Sequence, residues 1–314
     1  MGVVLAGKGK MLASMIEGCV NSGIKISGVL RYETVNSSWY KRTLSEIFLN
    51  CPDKILLKKY NIPDIRVKSI NSHKFKKFLL KNNVGILVIG TWSEKISNEI
   101  YKMPVLASVN IHPSLLPKYR GPNPYLETIL HGEKESGVTF HLIDENFDTG
   151  AILSQEKFTI STFDTSEDLR NKAIFLVKRM IPDVIFNIQN GLIIPVKQNE
   201  NIASYYKLRQ FDNIINFETQ TSDEISRQIR ALHPWIPCYI KLNFGLYFKI
   251  NPKKFTITEN SKNCHTGKII NKKLTDNSLK IVCKDKKIIE MSDLKLYPKI
   301  FSPFTKIAMM IFGK

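Results

Sequence analysis

The chain has 314 residues, of which 43% are hydrophobic, 10% aromatic and 24% charged; this excludes a disordered or fibrous protein and leaves room for one large domain or two unequal ones. Its formal net charge is +18, and residues 201–314, with 20 Lys and Arg against 9 Asp and Glu, hold +11 of it. Such a basic balance suits a polyanionic partner such as RNA or a phosphorylated substrate, and it equally suits the abundance of Lys, Asn and Ile that an AT-biased genome produces.

Cys19, Cys51, Cys238, Cys264 and Cys283 are widely spaced with no C-x-x-C pair, so neither a disulfide framework nor a zinc site is expected. Cys264 and His265 are adjacent, but two ligands are half of what a structural zinc needs. The first twenty residues lack a basic segment ahead of their apolar stretch and read as strand then helix, not as a signal peptide. No apolar run approaches the length of about 18 residues that a membrane span requires. The expectation is a cytoplasmic protein that does not enter the membrane.

The first 190 or so residues alternate short apolar runs with helical patterns, the mark of an α/β domain with a mostly parallel, Rossmann-like sheet. Val3 to Ala6 reads as a buried strand, Gly7-Lys8-Gly9 as a turn, and Met11 to Val20 as a helix ended by Gly23. Ile24 to Leu30 is a second strand; after a polar, helix-prone stretch, Ile65 to Val67 suggests a short third. Ser72 caps a helix through Leu80. Val84 to Ile89 is a continuous apolar strand, and Val105 to Ile111 another, which delivers Asn110 and His112 to its C-terminal end. In such sheets ligands sit beyond those ends. Val138 to Ile143 and Ile152 to Phe158 flank a loop, Asp144 to Gly150, and Thr165 with Asp168 starts a long helix toward Gly191, bent at Pro182. The expected division is therefore a first domain over 1–191, a linker over 192–208 and a second domain over 209–314. In the last, Ser222 to Leu232 reads as an amphipathic helix, and Tyr239 to Leu296 as short strands in series forming a small β-barrel of OB-like type.

Three polar residues stand out between Ser108 and Leu153. Asn110 and His112 lie two apart on a strand, so their side chains leave one face. Asp148 lies 36 residues beyond His112 in a loop of turn formers, with room between for a helix and a strand that bring it back. His73, His131, His141 and His233 are assigned to surface or packing roles.

The segment resembles the formyltransferase family that uses 10-formyltetrahydrofolate, through Asn110-Ile111-His112, Ser114-Leu115-Leu116-Pro117, Tyr119-Arg120-Gly121 and Asp148-Thr149-Gly150. Gly7-Lys8-Gly9, by contrast, lacks the third glycine of a dinucleotide fingerprint. The resemblance implies that a primary amine attacks the formyl carbon, that Asn110 and His112 donate hydrogen bonds to the oxygen that becomes negative, and that Asp148 orients His112, favours its charged form and receives the amine proton through a water. It implies a pterin pocket lined by Ile86, Val88, Gly90 and Trp92 on one side and by Ile143, Asp144, Glu145 and Phe147 on the other, supported by Ser114, Leu115, Leu116 and Pro117. No metal is called for.

Asn216-Phe217 and Arg230-Ala231-Leu232-His233-Pro234-Trp235 are similar to the start of the C-terminal domain of methionyl-tRNA formyltransferases; a similar domain follows the formyltransferase region of an enzyme acting on an amino-sugar nucleotide. The basic second half favours tRNA as acceptor. The segment Arg31 to Arg42 is less basic and more aromatic than in tRNA-directed members, and Pro122-Asn123-Pro124-Tyr125 replaces the small residues usual there, which keeps an amino-sugar nucleotide open. A non-catalytic RNA-binding protein on the same fold, and a hydrolase releasing formate from the same carrier, are the alternatives; the intact Asn110, His112 and Asp148 oppose the first.

Overall fold

The computed structural model describes residues 1–32, 51–208, 210–241, 246–259, 264–273 and 278–298. Residues 33–50, and with them most of the segment after the second strand, lie outside the described residues. In chain order the elements of the described residues are β1 (Gly2–Gly7), α1 (Gly9–Asn21), β2 (Ile26–Arg31), α2 (Pro52–Lys59), β3 (Asp64–Ile65), α3 (His73–Lys81), β4 (Val84–Gly90), α4 (Asn98–Tyr101), β5 (Ala107–His112), α5 (Pro124–Leu130), β6 (Glu135–Leu142), β7 (Ile152–Thr159), α6 (Ser166–Gln189), α7 (Ser222–Leu232), β8 (Tyr239–Lys241), β9 (Leu246–Lys249), β10 (Phe255–Thr258), β11 (Ile269–Lys273), β12 (Ser278–Val282), β13 (Ile288–Met291) and β14 (Lys295–Pro298).

Strands β1 to β7 make one sheet in the order β3-β2-β1-β4-β5-β6-β7. Its first five strands run parallel, and β6 pairs antiparallel with β5. Val84-Gly85-Ile86-Leu87-Val88-Ile89-Gly90 carries no polar side chain because β4 is covered on both faces, and all seven residues are buried. On one face Val4, Ala6, Leu30, Leu87 and Ile89 pack with Phe75 and Leu79 of α3 and Ile100 of α4. Leu87 and Phe75 are wholly removed from water, each worth about 1.5–3 kcal/mol. Successive residues of a strand point to opposite faces, so Val3 and Leu5 meet the other layer, where Leu12, Met15, Ile16 and Cys19 of α1 are equally buried.

Local chemistry sets the helix starts. The Ser72 side chain accepts from Phe75 N at the head of α3. Thr165 and Asp168 bond reciprocally ahead of α6, the Thr165 Oγ1 donating to Asp168 Oδ2 at 2.6 Å and accepting from Asp168 N at 3.3 Å. α6 continues through Pro182 for 24 residues.

The chain divides into two compact units, the first of Met1–Gly121, Ser136–Phe158 and Asn171–Tyr206, the second of Pro122–Glu135, Thr159–Arg170 and the remainder from Lys207. In the second, α7 opens on a capping box between Thr221 and Glu224 and buries Ile225, Ile229 and Leu232 at helical spacing. The expected barrel takes the form of two small antiparallel sheets, of order β10-β13-β12-β11 and β14-β9-β8. Leu279 and Ile281 of β12 and Ile289 and Met291 of β13 face inward, while the alternate Lys280 and Glu290 pair outside at 2.9 Å. Among the described residues no helix is long and apolar enough to cross a membrane.

Candidate active site

The site lies where β5 ends, and register determines who meets whom. Asn110 stands opposite His141 on the antiparallel β6, and His112 opposite Thr139. Directly opposed residues share a face with side chains about 5 Å apart, so Asn110, His112, His141 and Thr139 form one polar patch. Thr139 serves the floor of the patch: its Oγ1 donates to Ser114 O at 2.7 Å and accepts from Leu116 N and from Gln155 Nε2. The Gln155 amide also donates to Leu116 O at 2.9 Å, so the Ser114 to Pro117 turn is held by side chains of β6 and β7.

Asp148 returns to this patch from the loop after β6. Its Oδ2 accepts the Gly121 N–H at 2.9 Å. Its Oδ1 lies 3.4 Å from Asn110 Nδ2, 3.4 Å from His112 Nδ1 and 3.8 Å from His141 Nε2. The groups around Oδ1 are each held at the back by a shorter bond. His112 Nε2 donates to Tyr119 O at 2.8 Å, His141 Nδ1 donates to Leu142 O at 2.8 Å, and Asn110 Nδ2 donates to His141 Nε2 at 3.0 Å. Short anchors fix the orientation; the long contacts at Oδ1 are the ones a reacting atom can replace.

Proton positions follow from the partners, because a carbonyl only accepts. His112 carries its first hydrogen on Nε2 for Tyr119 O, so Nδ1 faces the carboxylate, and a second hydrogen there makes the pair an imidazolium against a carboxylate. His141 carries its hydrogen on Nδ1 for Leu142 O, leaving a bare Nε2 that needs a donor and so fixes which way the Asn110 amide points. Burial lowers His141 to about 4, the Asp148 charge offsetting part of this, so the ring is neutral near pH 7. His141, expected in a surface or packing role, is buried in this patch and bonded to Asn110. Its signal was present in the sequence as a histidine on the strand after the motif, but only the antiparallel register puts it beside Asn110.

Two glycines are required by close approach. A Cβ on Gly150 would lie 1.8 Å from Leu142 O, and one on Gly121, at φ +116°, 2.2 Å from Tyr206 O. Asp148 itself sits at φ +61°, which aspartate tolerates better than most residues.

The stretch 192–208 is pinned to this end of the sheet. Val196 bridges Ile152, Tyr205 bridges Arg120, Ser204 N donates to Pro117 O, and the Tyr119 and Tyr206 rings stack at 5.4 Å. Gln198 donates to both Asp148 O and Gly150 O. Gln198 was not among the expected site residues, and Arg120 was singled out only as part of the Tyr119-Arg120-Gly121 match.

The other sequence candidates separate into two groups. Ile86 and Val88 are inside the sheet, at 0% and 1% exposure, and present no surface to a ligand. Gly90 ends β4, buried, with the position of a Cβ only 3.0 Å from Met15 Sδ. Ser114, Leu116 and Pro117 are buried beneath the patch, with Leu115 half-buried. Trp92 and Ile143 are partly buried, both resting on the core cluster under β4, while Glu145 and Phe147 are exposed on the loop ahead of Asp148. Asp144 builds that loop, its Oδ1 accepting from Asn146 N and Thr149 Oγ1.

Comparison with known proteins bears on the same elements. Residues 1–185 match the family described as formyl transferase, and residues 207–302 the formyl transferase C-terminal domain. The methionyl-tRNA formyltransferase of Thermotoga neapolitana is 29% identical over 231 residues, covering 74% of this chain and 72% of that one. That of Buchnera aphidicola subsp. Acyrthosiphon pisum is 30% identical over 221 residues, 70% and 69% of the two chains. Among solved structures, an N-formyltransferase from Helicobacter canadensis in complex with folinic acid and dTDP-3-aminofucose superposes with a TM-score of 0.67 at 24% identity, over 93% of this chain and 99% of that one. The sugar 3N-formyl transferase WlaRD, crystallised with dTDP and 5-N-formyl-THF, gives 0.65 at 23% identity, over 93% and 97%. With a family match over more than half its length, a second one over its C-terminal part, and a strand-end patch of amide, imidazole and carboxylate, this chain belongs to the formyl transferase family.

Proposed function

We propose that the chain transfers the formyl group of 10-formyltetrahydrofolate to the amino group of methionyl-initiator tRNA, and that Asn110, His112 and Asp148 carry the reaction. The observation on which this rests is the meeting of an amide, an imidazole and a backbone-anchored carboxylate around one oxygen, Asp148 Oδ1, at the end of β5.

The residues around that point fit the donor. Trp92, Ile143 and the exposed Phe147 offer apolar faces to a flat ring, with the Ser114 to Pro117 turn beneath. The amine lone pair attacks the formyl carbon and the carbonyl oxygen becomes negative. The front hydrogens of Asn110 and His112, held only at 3.4 Å by Asp148, swing to that oxygen. One such donor is worth about 2.7–4 kcal/mol of barrier. The proton leaving the amine passes through a water to Asp148, the bond from carbon to the folate nitrogen breaks, and that nitrogen takes a proton back.

The tRNA acceptor is supported by relatives of that name over some 70% of both chains and by the basic second half. A second reading, an amino-sugar nucleotide, is favoured by the exits of β1, β2 and β4. There the Tyr32 and Trp92 rings meet edge-on at 5.0 Å and Lys8 Nζ lies 5.2 Å from the Tyr32 ring centre, a set suited to a base and a phosphate. The experiment is incubation with 10-formyltetrahydrofolate and, separately, charged initiator tRNA and amino-sugar nucleotides. Formylation of the tRNA alone is the expected result; formylation of the sugar alone replaces the acceptor. An Asn110→Ala variant with full turnover overturns the residue roles.

A further inference from the structure

Asp148 must keep a left-handed backbone while its carboxylate faces the reacting atoms, and a non-glycine residue adopts that conformation at a cost of about 1 kcal/mol. Its carboxylate is held by Gly121 N, and its carbonyl by a residue fifty positions away in sequence, Gln198. Gln198 is 5% exposed and its side chain is fully used. The two Nε2 hydrogens go to Asp148 O at 2.9 Å and Gly150 O at 2.8 Å; Oε1 accepts from Arg120 Nη2 at 2.8 Å and Nε at 3.2 Å. Carbonyls only accept and a guanidinium only donates, so this amide has one orientation. Arg120 is in turn gripped by Glu200 through both carboxylate oxygens, at 2.7 and 2.8 Å. Arg120 immediately precedes Gly121, so a single glutamine joins the loop that bears the carboxylate to the loop that bears its amide donor.

We propose that Gln198, oriented by Arg120 and Glu200, is a positioning residue for formyl transfer, which sets Asp148 from behind through the main-chain carbonyls at 148 and 150. This rests on the role given to Asp148 above. A purely structural role fits the arrangement less well. Every Gln198 bond ends at the two loops of the site or at the Arg120 side chain that precedes Gly121.

The test is Gln198→Glu, which keeps length and the Arg120 contact but sets an oxygen against two carbonyl oxygens. The expected result is a folded protein with a lowered melting temperature, an unchanged KM for 10-formyltetrahydrofolate, and a kcat per folded molecule lower on the order of 100-fold. The ring nitrogen NMR signals of His112 should shift in the same variant, since Asp148 has moved from its Nδ1. A structural glutamine predicts the reverse, with Gln198→Glu active and Gln198→Ala merely unstable. Wild-type kcat in Gln198→Glu, or a loss that only tracks its unfolded fraction, overturns the proposal. Should Gln198→Glu fail to fold, Arg120→Lys replaces it, since lysine keeps the charge and loses the fork; a folded Arg120→Lys with unaltered kcat also overturns the proposal. If the unaltered chain formylates neither acceptor, the reaction assignment falls instead, and the positioning role is decided by the His112 signals alone, their constancy in Gln198→Glu refuting it.

Discussion

The Asp148 end of the first unit and the four-stranded sheet of the second solve opposite problems. Around Asp148 nearly every polar atom is spent on another, with backbone groups of Tyr119, Gly121, Leu142 and Gly150 taking half of each bond. In the β10-β13-β12-β11 sheet the inner face is apolar, and Lys280 and Glu290 pair outside it. The first arrangement fixes atoms to fractions of an ångström, as chemistry requires. The second fixes a fold and leaves a diffuse positive exterior, which suffices for attraction to a polyanion.

The contrast can be broken most directly at Asp148. Asparagine tolerates the same left-handed backbone, so Asp148→Asn removes the charge with little else; kcat should fall by about 100- to 10,000-fold with stability nearly unchanged. A smaller loss in steady-state kinetics would mean that the precise end of the molecule is not where proton transfer occurs. In the second unit the large effect is on folding. Ile289→Ala, at a position wholly out of water, should cost about 2–5 kcal/mol in denaturant unfolding while leaving kcat per folded molecule the same.

A pH experiment sharpens the first half of the comparison. His141 is held near 4 when folded, against about 6.5 in an unfolded chain, so the unfolded state takes up the proton first as the pH drops. The stability due to the neutral ring is complete above about pH 6.5 and disappears between there and pH 4, roughly 3 kcal/mol in all. His141→Gln should flatten that part of a stability curve measured by urea unfolding; an identical acid loss in both proteins would show that the ring is not held neutral. The smallest effect belongs to two exposed lysines that immediately precede strands of the β10-β13-β12-β11 sheet. Lys268 and Lys287 are exposed, and changing each to glutamine should reduce the slope of log affinity for tRNA against log salt by roughly 0.7–0.9 per residue without changing kcat. A slope that does not move removes these two lysines from the tRNA surface.

Much of this was legible in the chain. The strand Val84 to Ile89 and the helix Ser222 to Leu232 follow from an uninterrupted apolar run and from a capped period of 3.6. Asn110 and His112 were readable because two residues apart on a strand means one face. Val105 and Leu106, apolar yet 56% and 42% exposed, show where the pattern misled, since β5 starts only at Ala107. His141 escaped because a register between antiparallel strands leaves no trace in spacing. The Gln198 and Glu200 partners of Arg120 escaped for a related reason: residues nearly eighty apart share no local pattern, and a polar stretch between helices reads as a linker.

That stretch has a practical consequence for anyone who wishes to shorten or transplant the catalytic portion. Cutting after Gly191, where the last long helix has ended, preserves every strand of the large sheet and discards the glutamine that grips the carbonyl of Asp148. The last segment of the unit that holds Asp148 runs on to Tyr206, some fifteen residues beyond the end of that helix, so a cut made there keeps the grip.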